Sequence, residues 1–118
     1  MKLREAIALL ESDVYCTKES LLDAEILTAR ASDLMSEVLA QDAVPDILLT
    51  GLCNSQVIRT ASVFGIKAVA FVRGSTPGQK IIDLAMDESV VILTTCHSLF
   101  VSCGRLFAGG VRGTARRS

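Results

Sequence analysis

The sequence predicts an α/β domain in which a parallel βαβαβα sheet carries helices on both faces, with a short N-terminal α+β lobe in front of it. Three segments, residues 46–51, 67–74 and 89–95, are almost wholly apolar, and a stretch with helical spacing follows each of them. Strands of a parallel sheet are buried on both faces, so they are apolar throughout instead of alternating with polar residues. A chain of 118 residues is long enough for one domain with a single core.

The N-terminal lobe is expected to contain two helices and two short strands. Residues 2–11 have apolar side chains at helical spacing, which predicts an amphipathic helix, and residues 14–16 follow as a strand. A second, half-exposed strand is predicted within residues 24–32, where the side chains alternate in character. A helix then begins near Ser32 or Asp33, because either side chain can cap the free N–H groups of a first turn.

Helices are also predicted after each of the three buried strands. The first covers residues 54–65, beginning at a polar cap and ending at Gly65. The last covers residues 98–109. Each connection between a strand and the next strand is then a right-handed crossover, as parallel strands require.

The turn before the middle helix, residues 73–77, has two interpretations. Thr76 as cap, Pro77 in the first helical position and Gln79 in a capping box account for it as a helix start. Arg73 at the end of a buried strand, beside free helix N–H groups, is well placed for an anion. The alternative for Arg73 is a salt bridge with a neighbouring carboxylate.

The chain is apolar for its size. Half of the residues are hydrophobic, with one Tyr and no Trp, and the mean hydropathy is +0.45. Because a small domain leaves much of its surface exposed, we expect a second copy or another protein to cover part of the apolar surface; the alternative is a densely packed monomer. The four phenylalanines are predicted to lie on core faces: Phe64, Phe71, Phe100 and Phe107.

Charge and hydropathy exclude several classes of partner. The formal net charge of −1 gives no field that would attract nucleic acid or a membrane surface. No window approaches the roughly 18 apolar residues of a membrane span, and the charged first residues do not form a secretory signal. We therefore expect a cytoplasmic protein. The basic end, residues 109–118, is predicted to be a flexible tail, which places the domain at residues 1–108.

The four cysteines, Cys16, Cys53, Cys96 and Cys103, lie far apart with no C-x-x-C pair. This spacing excludes a zinc ribbon and a thioredoxin motif, and a reducing compartment would keep the thiols free. Cys53 and Cys96 with His97, the one histidine, are weak candidates for a metal site or for thiol catalysis. Since no fourth ligand accompanies them, no metal is assigned.

Three loops, residues 50–55, 73–77 and 94–98, are predicted to meet beyond the carboxyl ends of the buried strands, where open α/β sheets bind ligands. Each loop leads into a helix N-terminus, so free N–H groups and partial positive charge converge there. A phosphorylated small molecule would suit this edge. The predicted ligand-binding residues are Thr50, Asn54, Arg73, Gly74, Ser75, Thr95 and Ser98.

The sequence supplies no catalytic residues that we can assign. It lacks the GxxxxGK[ST] and GxGxxG phosphate-binding patterns and any identifiable set of nucleophile, base and orienting group. We therefore expect no cofactor and no kinase, phosphatase or acyltransferase activity.

The order of these motifs resembles that of stand-alone DRTGG-domain proteins over residues 2–108. The matching stretches are ASDLMSEVLA, ILLTG followed by NSQVIRTA, IKAVAFVRG with a proline after it, and ILTT leading to FVSCGRLF. RGSTP stands where the family often has a Thr-Gly-Gly turn. By this resemblance the characteristic family positions are Asp33, Ser36, Thr50, Asn54, Arg73, Gly74, Pro77, Thr95, Cys103 and Gly104.

The resemblance implies a small layered domain similar to the N-terminal domain of HPr kinase/phosphorylase. Related modules, in phosphate acetyltransferases and between the CBS domains of regulated pyrophosphatases, are regulatory or dimer-forming. A serine kinase label would not fit, because the chain has no phosphate-loop kinase domain. Helix capping also accounts for Asp33 and Ser36, and close packing of a helix on the sheet accounts for Cys103 and Gly104.

Three functions follow as hypotheses. The first is a non-catalytic regulatory module that senses a nucleotide or another phosphorylated metabolite as a homodimer. The second is an interaction or scaffold protein for an iron-only hydrogenase-like redox enzyme, with which the family is associated. The third is a Cys/His metal protein or small enzyme.

Overall fold

The apolar segments form strands, and a helix follows each of them. The computed structural model describes residues 1–39 and 43–114. The helices are α1 (Leu3–Leu9), α2 (Met35–Leu39), α3 (Ser55–Phe64), α4 (Gln79–Asp87) and α5 (Leu99–Ala108), with a 3-10 helix at Glu19–Asp23. The strands are β1 (Asp13–Tyr15), β2 (Thr28–Ala31), β3 (Ile47–Thr50), β4 (Ala68–Phe71), β5 (Val91–Thr94) and β6 (Arg112–Gly113).

These strands form one sheet in the order β1-β5-β4-β3-β2-β6. Strand β1 is antiparallel to β5, and the other neighbouring pairs are parallel. The predicted α/β fold class is therefore confirmed. The N-terminal segment joins the same sheet on both sides, with β1 beside β5 and β2 beside β3, and does not form a lobe in front of it.

The core lies in two layers, one on each face of the sheet. Helices α1 and α5 and the 3-10 helix cover one face, where the buried residues include Leu3, Leu10, Leu22, Leu49, Leu93 and Leu106. Helices α2, α3 and α4 cover the other, where they include Val38, Leu48, Ile58, Val69, Ala85 and Ile92. Adjacent residues of β3, Leu48 and Leu49, thus point into opposite layers. Burial on both faces explains why the central strands are apolar without interruption.

The phenylalanines are less buried than predicted. Phe71 is fully buried, but Phe64, Phe100 and Phe107 are 42%, 88% and 60% exposed. The prediction that these three lie on core faces is wrong. Helix α5 is apolar around more than one face, so its periodicity does not determine which face the sheet will cover.

Residues 109–114 belong to the fold, although a flexible tail was predicted to begin there. Val111 is buried, and Arg112–Gly113 pair in parallel with residues 28–29. The Arg112 N–H group also donates to the Leu27 carbonyl at 3.1 Å. The rest of the predicted tail, residues 115–118, lies outside the described residues.

Helix α4 begins later than predicted. Its N-cap is Gly78, and the Gln79 side chain donates to the Asp83 carboxylate at 2.8 Å instead of completing a capping box. Thr76 therefore does not cap this helix, and Pro77 is a buried residue that precedes the cap. Since proline disfavours a helical conformation in the residue before it, Thr76 stays outside the helix.

Asp46 holds the amino edge of the sheet together. Its Oδ2 atom accepts hydrogen bonds from the N–H groups of Leu27 (2.8 Å) and Thr28 (3.2 Å), and Oδ1 lies 3.3 Å from Lys67 Nζ. Desolvation by itself raises the pKa of this carboxyl, but the two amide donors and Lys67 together outweigh it, so the pKa lies below its ordinary value. The carboxylate thus ties the start of β2 to the starts of β3 and β4.

Candidate functional site

The loops predicted to meet at the carboxyl edge do meet there. Thr50, the last residue of β3, is in register with Phe71 of β4, and Phe71 is in register with Thr94 of β5. Parallel strands that end level with one another place the loops after them side by side. The three loops, residues 50–55, 73–77 and 94–98, therefore meet at the carboxyl edge of the sheet and form one junction.

Arg73 occupies a strained turn at this junction. Arg73 and Gly74 both have left-handed backbones, with φ of 61° and 71°. The turn is fixed to the loop after β5, since the Arg73 N–H donates to the His97 carbonyl (2.8 Å) and the Gly74 N–H to the Thr95 carbonyl (2.9 Å). A left-handed backbone is ordinary for glycine but costs another residue on the order of 1 kcal/mol. The fold holds arginine where glycine would fit better.

Asp33 faces Arg73 across the edge. Its Oδ1 atom accepts hydrogen bonds from the Gly51 N–H (2.7 Å) and the Thr50 hydroxyl (3.1 Å), and Oδ2 lies 3.8 Å from Arg73 Nη2. Asp33 was predicted to cap a helix; instead its side chain bridges to the end of β3. The salt-bridge interpretation of Arg73 is therefore realised, in a pair whose side chains are 55% and 45% exposed.

Gly51 is part of this arrangement and was missed by the sequence analysis. The Arg73 guanidinium crosses directly over it, so a Cβ atom at this position would overlap the guanidinium. A larger residue here would displace the exposed guanidinium, so Gly51 allows Arg73 to reach towards Asp33 in its present position. The one local signal is the Thr-Gly pair that ends the buried run ILLTG.

Besides Thr50, which is fully buried and donates its hydroxyl to Asp33, three of the predicted ligand residues have structural roles. Asn54 caps α3 through a hydrogen bond from the Val57 N–H (3.1 Å), and Ser98 caps α5 through one from the Val101 N–H (3.2 Å). Thr95 is buried and donates its hydroxyl to the Leu10 carbonyl at 2.7 Å. These groups build the junction, and each of them makes at least one hydrogen bond within the fold.

The remaining predicted positions lie at and around the junction. Ser75 is half-buried at the end of the Arg73 turn, and its N–H donates to the Val72 carbonyl (3.3 Å). Ser36 is exposed as the second residue of α2, so helix capping does not explain it as predicted. Cys103 packs against the core, as the resemblance implied, but Gly104 is exposed and a Cβ added to it would meet no atom within 4 Å. Close packing on the sheet therefore does not explain Gly104.

The cysteine and histidine candidates do not assemble into a site. His97 Nε2 lies 2.9 Å from Glu11 Oε1, which also lies 3.3 Å from Arg105 Nη1. The hydrogen bond with His97, helped by the Arg105 charge, lowers the pKa of the Glu11 carboxyl. Burial raises the pKa of the Cys53 thiol, which disfavours the thiolate. Within residues 1–39 and 43–114 no group of three His, Cys, Asp or Glu side chains could hold a metal ion.

The sequence matches no family model and no curated protein. A solved structure is similar to it: the CBS and DRTGG domains of the regulatory region of Clostridium perfringens pyrophosphatase, complexed with the activator diadenosine tetraphosphate. The TM-score is 0.67 at 16% sequence identity, and the match covers 89% of this chain and 45% of that one. The present chain thus spans less than half of that protein's length. At this identity the likeness concerns the fold.

Proposed function

We propose that this chain is a non-catalytic regulatory module that binds a nucleotide or another phosphorylated metabolite and acts as a homodimer. The observation that carries the proposal is Arg73, a half-exposed guanidinium on a strained backbone at the junction of three loops. Backbone strain is retained where the surrounding structure enforces it, and such positions cluster at ligand-binding sites.

A phosphate group can replace Asp33 as the partner of Arg73. Their separation of 3.8 Å exceeds that of a charge-assisted hydrogen bond, and exposed pairs of this kind contribute about 0–1 kcal/mol. A direct hydrogen bond between Arg73 and a phosphate oxygen would contribute about 1.5–3 kcal/mol. Replacing the Asp33 contact of Arg73 with a phosphate contact would therefore favour binding.

The ligand class is supported by the similar structure, whose regulatory region carries a dinucleotide with four phosphates. It is also supported by the sequence resemblance, which implies a regulatory role. The absence of catalytic activity, the cytoplasmic location and the similarity to HPr kinase/phosphorylase remain predictions.

The test is a calorimetric titration with ATP, AMP, diadenosine tetraphosphate and inorganic phosphate. We expect binding of at least one of these compounds, and we expect Arg73→Ala to weaken it by about 1.5–3 kcal/mol, or about 10- to 150-fold. A ligand of the folded state should also raise the melting temperature of the wild type by mass action.

Arg4→Ala is the matched control. Arg4 is a surface arginine, 48% exposed, that pairs with Glu19 and Asp23 at the start of α1, and its removal should leave affinity unchanged. Equal affinity of wild type and Arg73→Ala would show that the junction is the wrong place. No binding of any of the four compounds would contradict the proposed ligand class.

The scaffold hypothesis is the second candidate, and the exposed Phe100 and Phe107 favour it. It predicts no response to any phosphorylated compound. A redox-enzyme partner would then bind the wild type but not a Phe100→Glu variant, which removes an apolar contact without touching the junction.

A further inference from the structure

Helices cover the two faces of the sheet unequally. Beside α5, on the face that α1 and α5 cover, an open groove of about 400 Å³ extends over β2 and β6. Its lining is mostly small or apolar, with Arg30 and Arg112 as the basic residues, and exposed aromatic rings of α5 flank it; the small and apolar members include Ala29, Ala31, Leu49, Gly113, Phe100 and Phe107.

Helix α5 presents an apolar stripe along this groove. Phe100, Gly104 and Phe107 follow one another at the spacing of a single helix face, and the two rings are 88% and 60% exposed. Between them, a Cβ atom at Gly104 would have no heavy atom within 4 Å. The stripe therefore has two projecting rings with a notch between them, and nothing in the described chain packs into that notch.

We infer that α5 of a second copy of this chain occupies the groove, antiparallel to α5 and crossing it at Gly104. This inference rests on the homodimer of the proposed function and gives it an interface. A two-fold dimer needs a surface that is complementary to itself. The stripe meets this condition because Phe100 and Phe107 flank Gly104 almost symmetrically, so each ring of one copy lies beside a ring of the other.

The two rings and the groove floor supply part of the area that a dimer interface requires. A phenylalanine side chain buries about 150–250 Å², so the exposed fractions of Phe100 and Phe107 amount to roughly 300 Å². The groove floor adds to this on each protomer. Together they provide a large share of the ~800 Å² that each partner of a standard interface contributes.

The charges agree with an antiparallel arrangement. Among the described residues no acidic side chain lines the groove, and its basic residues are Arg30 and Arg112. Arg112, at the Phe107 end, holds its guanidinium 4.4 Å from the centre of the Phe107 ring. In an antiparallel pair the two Arg112 residues lie at opposite ends of the interface. Phe100 and Phe107 are about 10 Å apart along the helix at 1.5 Å per residue, which is about one Debye length at moderate salt.

The first test is sedimentation velocity from 1 to 100 µM on the wild type, Gly104→Glu, Phe100→Glu and Val63→Glu. Gly104 and Phe100 are exposed, so their substitution leaves the protomer intact, which circular dichroism checks. Val63 is the matched control, since it is 78% exposed on α3, against the opposite face of the sheet. We expect the wild type and Val63→Glu to be dimers. Gly104→Glu and Phe100→Glu should be monomers, with a dimer dissociation constant at least 100-fold higher than that of the wild type.

The second test is oxidative cross-linking. The cysteine variants are made in a protein that carries Cys96→Ser and Cys103→Ser, because Cys96 is an exposed thiol and Cys103 lines the groove. In this background Gly104→Cys should give a covalent dimer under mild oxidation, because the crossing point brings the two positions together, whereas Val63→Cys and the background protein should not. A wild type that is monomeric at 100 µM would overturn both the dimer and this interface, and it would leave nucleotide binding unaffected. A Gly104→Glu variant that remains dimeric would overturn this interface alone. An acidic peptide that binds a monomeric wild type in the groove would also overturn the inference, in favour of a different partner.

Discussion

Asp46 and Asp33 lie at opposite edges of the same sheet and have similar surroundings. Each carboxylate accepts two hydrogen bonds through one oxygen and faces a basic side chain with the other. They differ in exposure, 21% against 45%, and in the distance to the basic group, 3.3 Å to Lys67 against 3.8 Å to Arg73. The amino edge is thus closed by its aspartate, whereas the carboxyl edge keeps a loosely paired charge accessible.

Lys67 and Arg73, the basic partners of these two carboxylates, also differ in how firmly the fold holds them. Lys67 also donates to the Glu25 carbonyl at 2.9 Å, which anchors the side chain within the fold. Arg73 makes no comparable second contact among the described residues and has a left-handed backbone. Similar chemical groups are therefore held firmly at one edge, and at the other they are loosely paired and exposed, as the proposed ligand would require.

The largest expected effect is on stability at the amino edge. Asp46→Ala should lower the free energy of unfolding by about 2–3 kcal/mol, because it removes charged hydrogen bonds and leaves two N–H donors without their acceptor. Asp33→Ala, at the more exposed edge, should lower it by about 1 kcal/mol. Urea denaturation of both variants measures the difference. If Asp33→Ala were the more destabilising, the carboxyl edge would be structural.

The Asp46 contribution should also depend on pH. Its folded-state pKa is lowered from the ordinary 3.8, so its stabilisation is complete above that value and is lost as the pH falls through the folded-state pKa. The stability difference between wild type and Asp46→Ala should therefore be constant from pH 7 to about 5 and shrink below about 4. Urea denaturation of both proteins across this range measures the stability difference. A difference that grows on acidification would contradict the stabilising role of the Asp46 carboxylate.

The smallest expected effect concerns which of two variants, glycine or alanine, is the more stable. The order should be opposite at Arg73 and Lys67. Arg73→Gly should be more stable than Arg73→Ala by about 1 kcal/mol, because only glycine adopts the left-handed backbone without cost. Lys67 has no such backbone, so Lys67→Gly should be less stable than Lys67→Ala by about 0.5–1 kcal/mol. Thermal denaturation of the four variants tests this. The same order at both positions would mean that Arg73 is not strained.

The central sheet could be predicted because its signals are local. Each buried strand is a continuous apolar run, and Gly65, the predicted end of α3, has the left-handed backbone of a helix C-cap with φ of 73°. Strand β6 could not be predicted, because it consists only of Arg112 and Gly113, which form a strand through their pairing with β2. Its stability comes from a contact that is distant in sequence.

The candidate site was predicted in part for the same reason. Sheet topology placed Thr50 and Arg73 together, since it requires parallel strands to end at a common edge. The role of Asp33 depends on a hydrogen bond to the end of another strand, and helix capping was the simplest local interpretation of the same residue. Gly51 lies under a side chain from a different loop, and the local Thr-Gly pair gives no indication of that contact.

The position of β1 has a consequence for the order of folding. Residues 13–15 pair with residues 92–94 at the far edge of the sheet, so the first strand of the chain has no neighbour until β5 has formed. A contact between distant segments requires the long loop between them to close, which costs entropy before the contact forms, and this slows folding. The βαβαβ unit from β3 to β5 is thus expected to form the folding nucleus, with β1 and β6 joining last. In native-state hydrogen exchange, the amides of these two edge strands would then be the first to open.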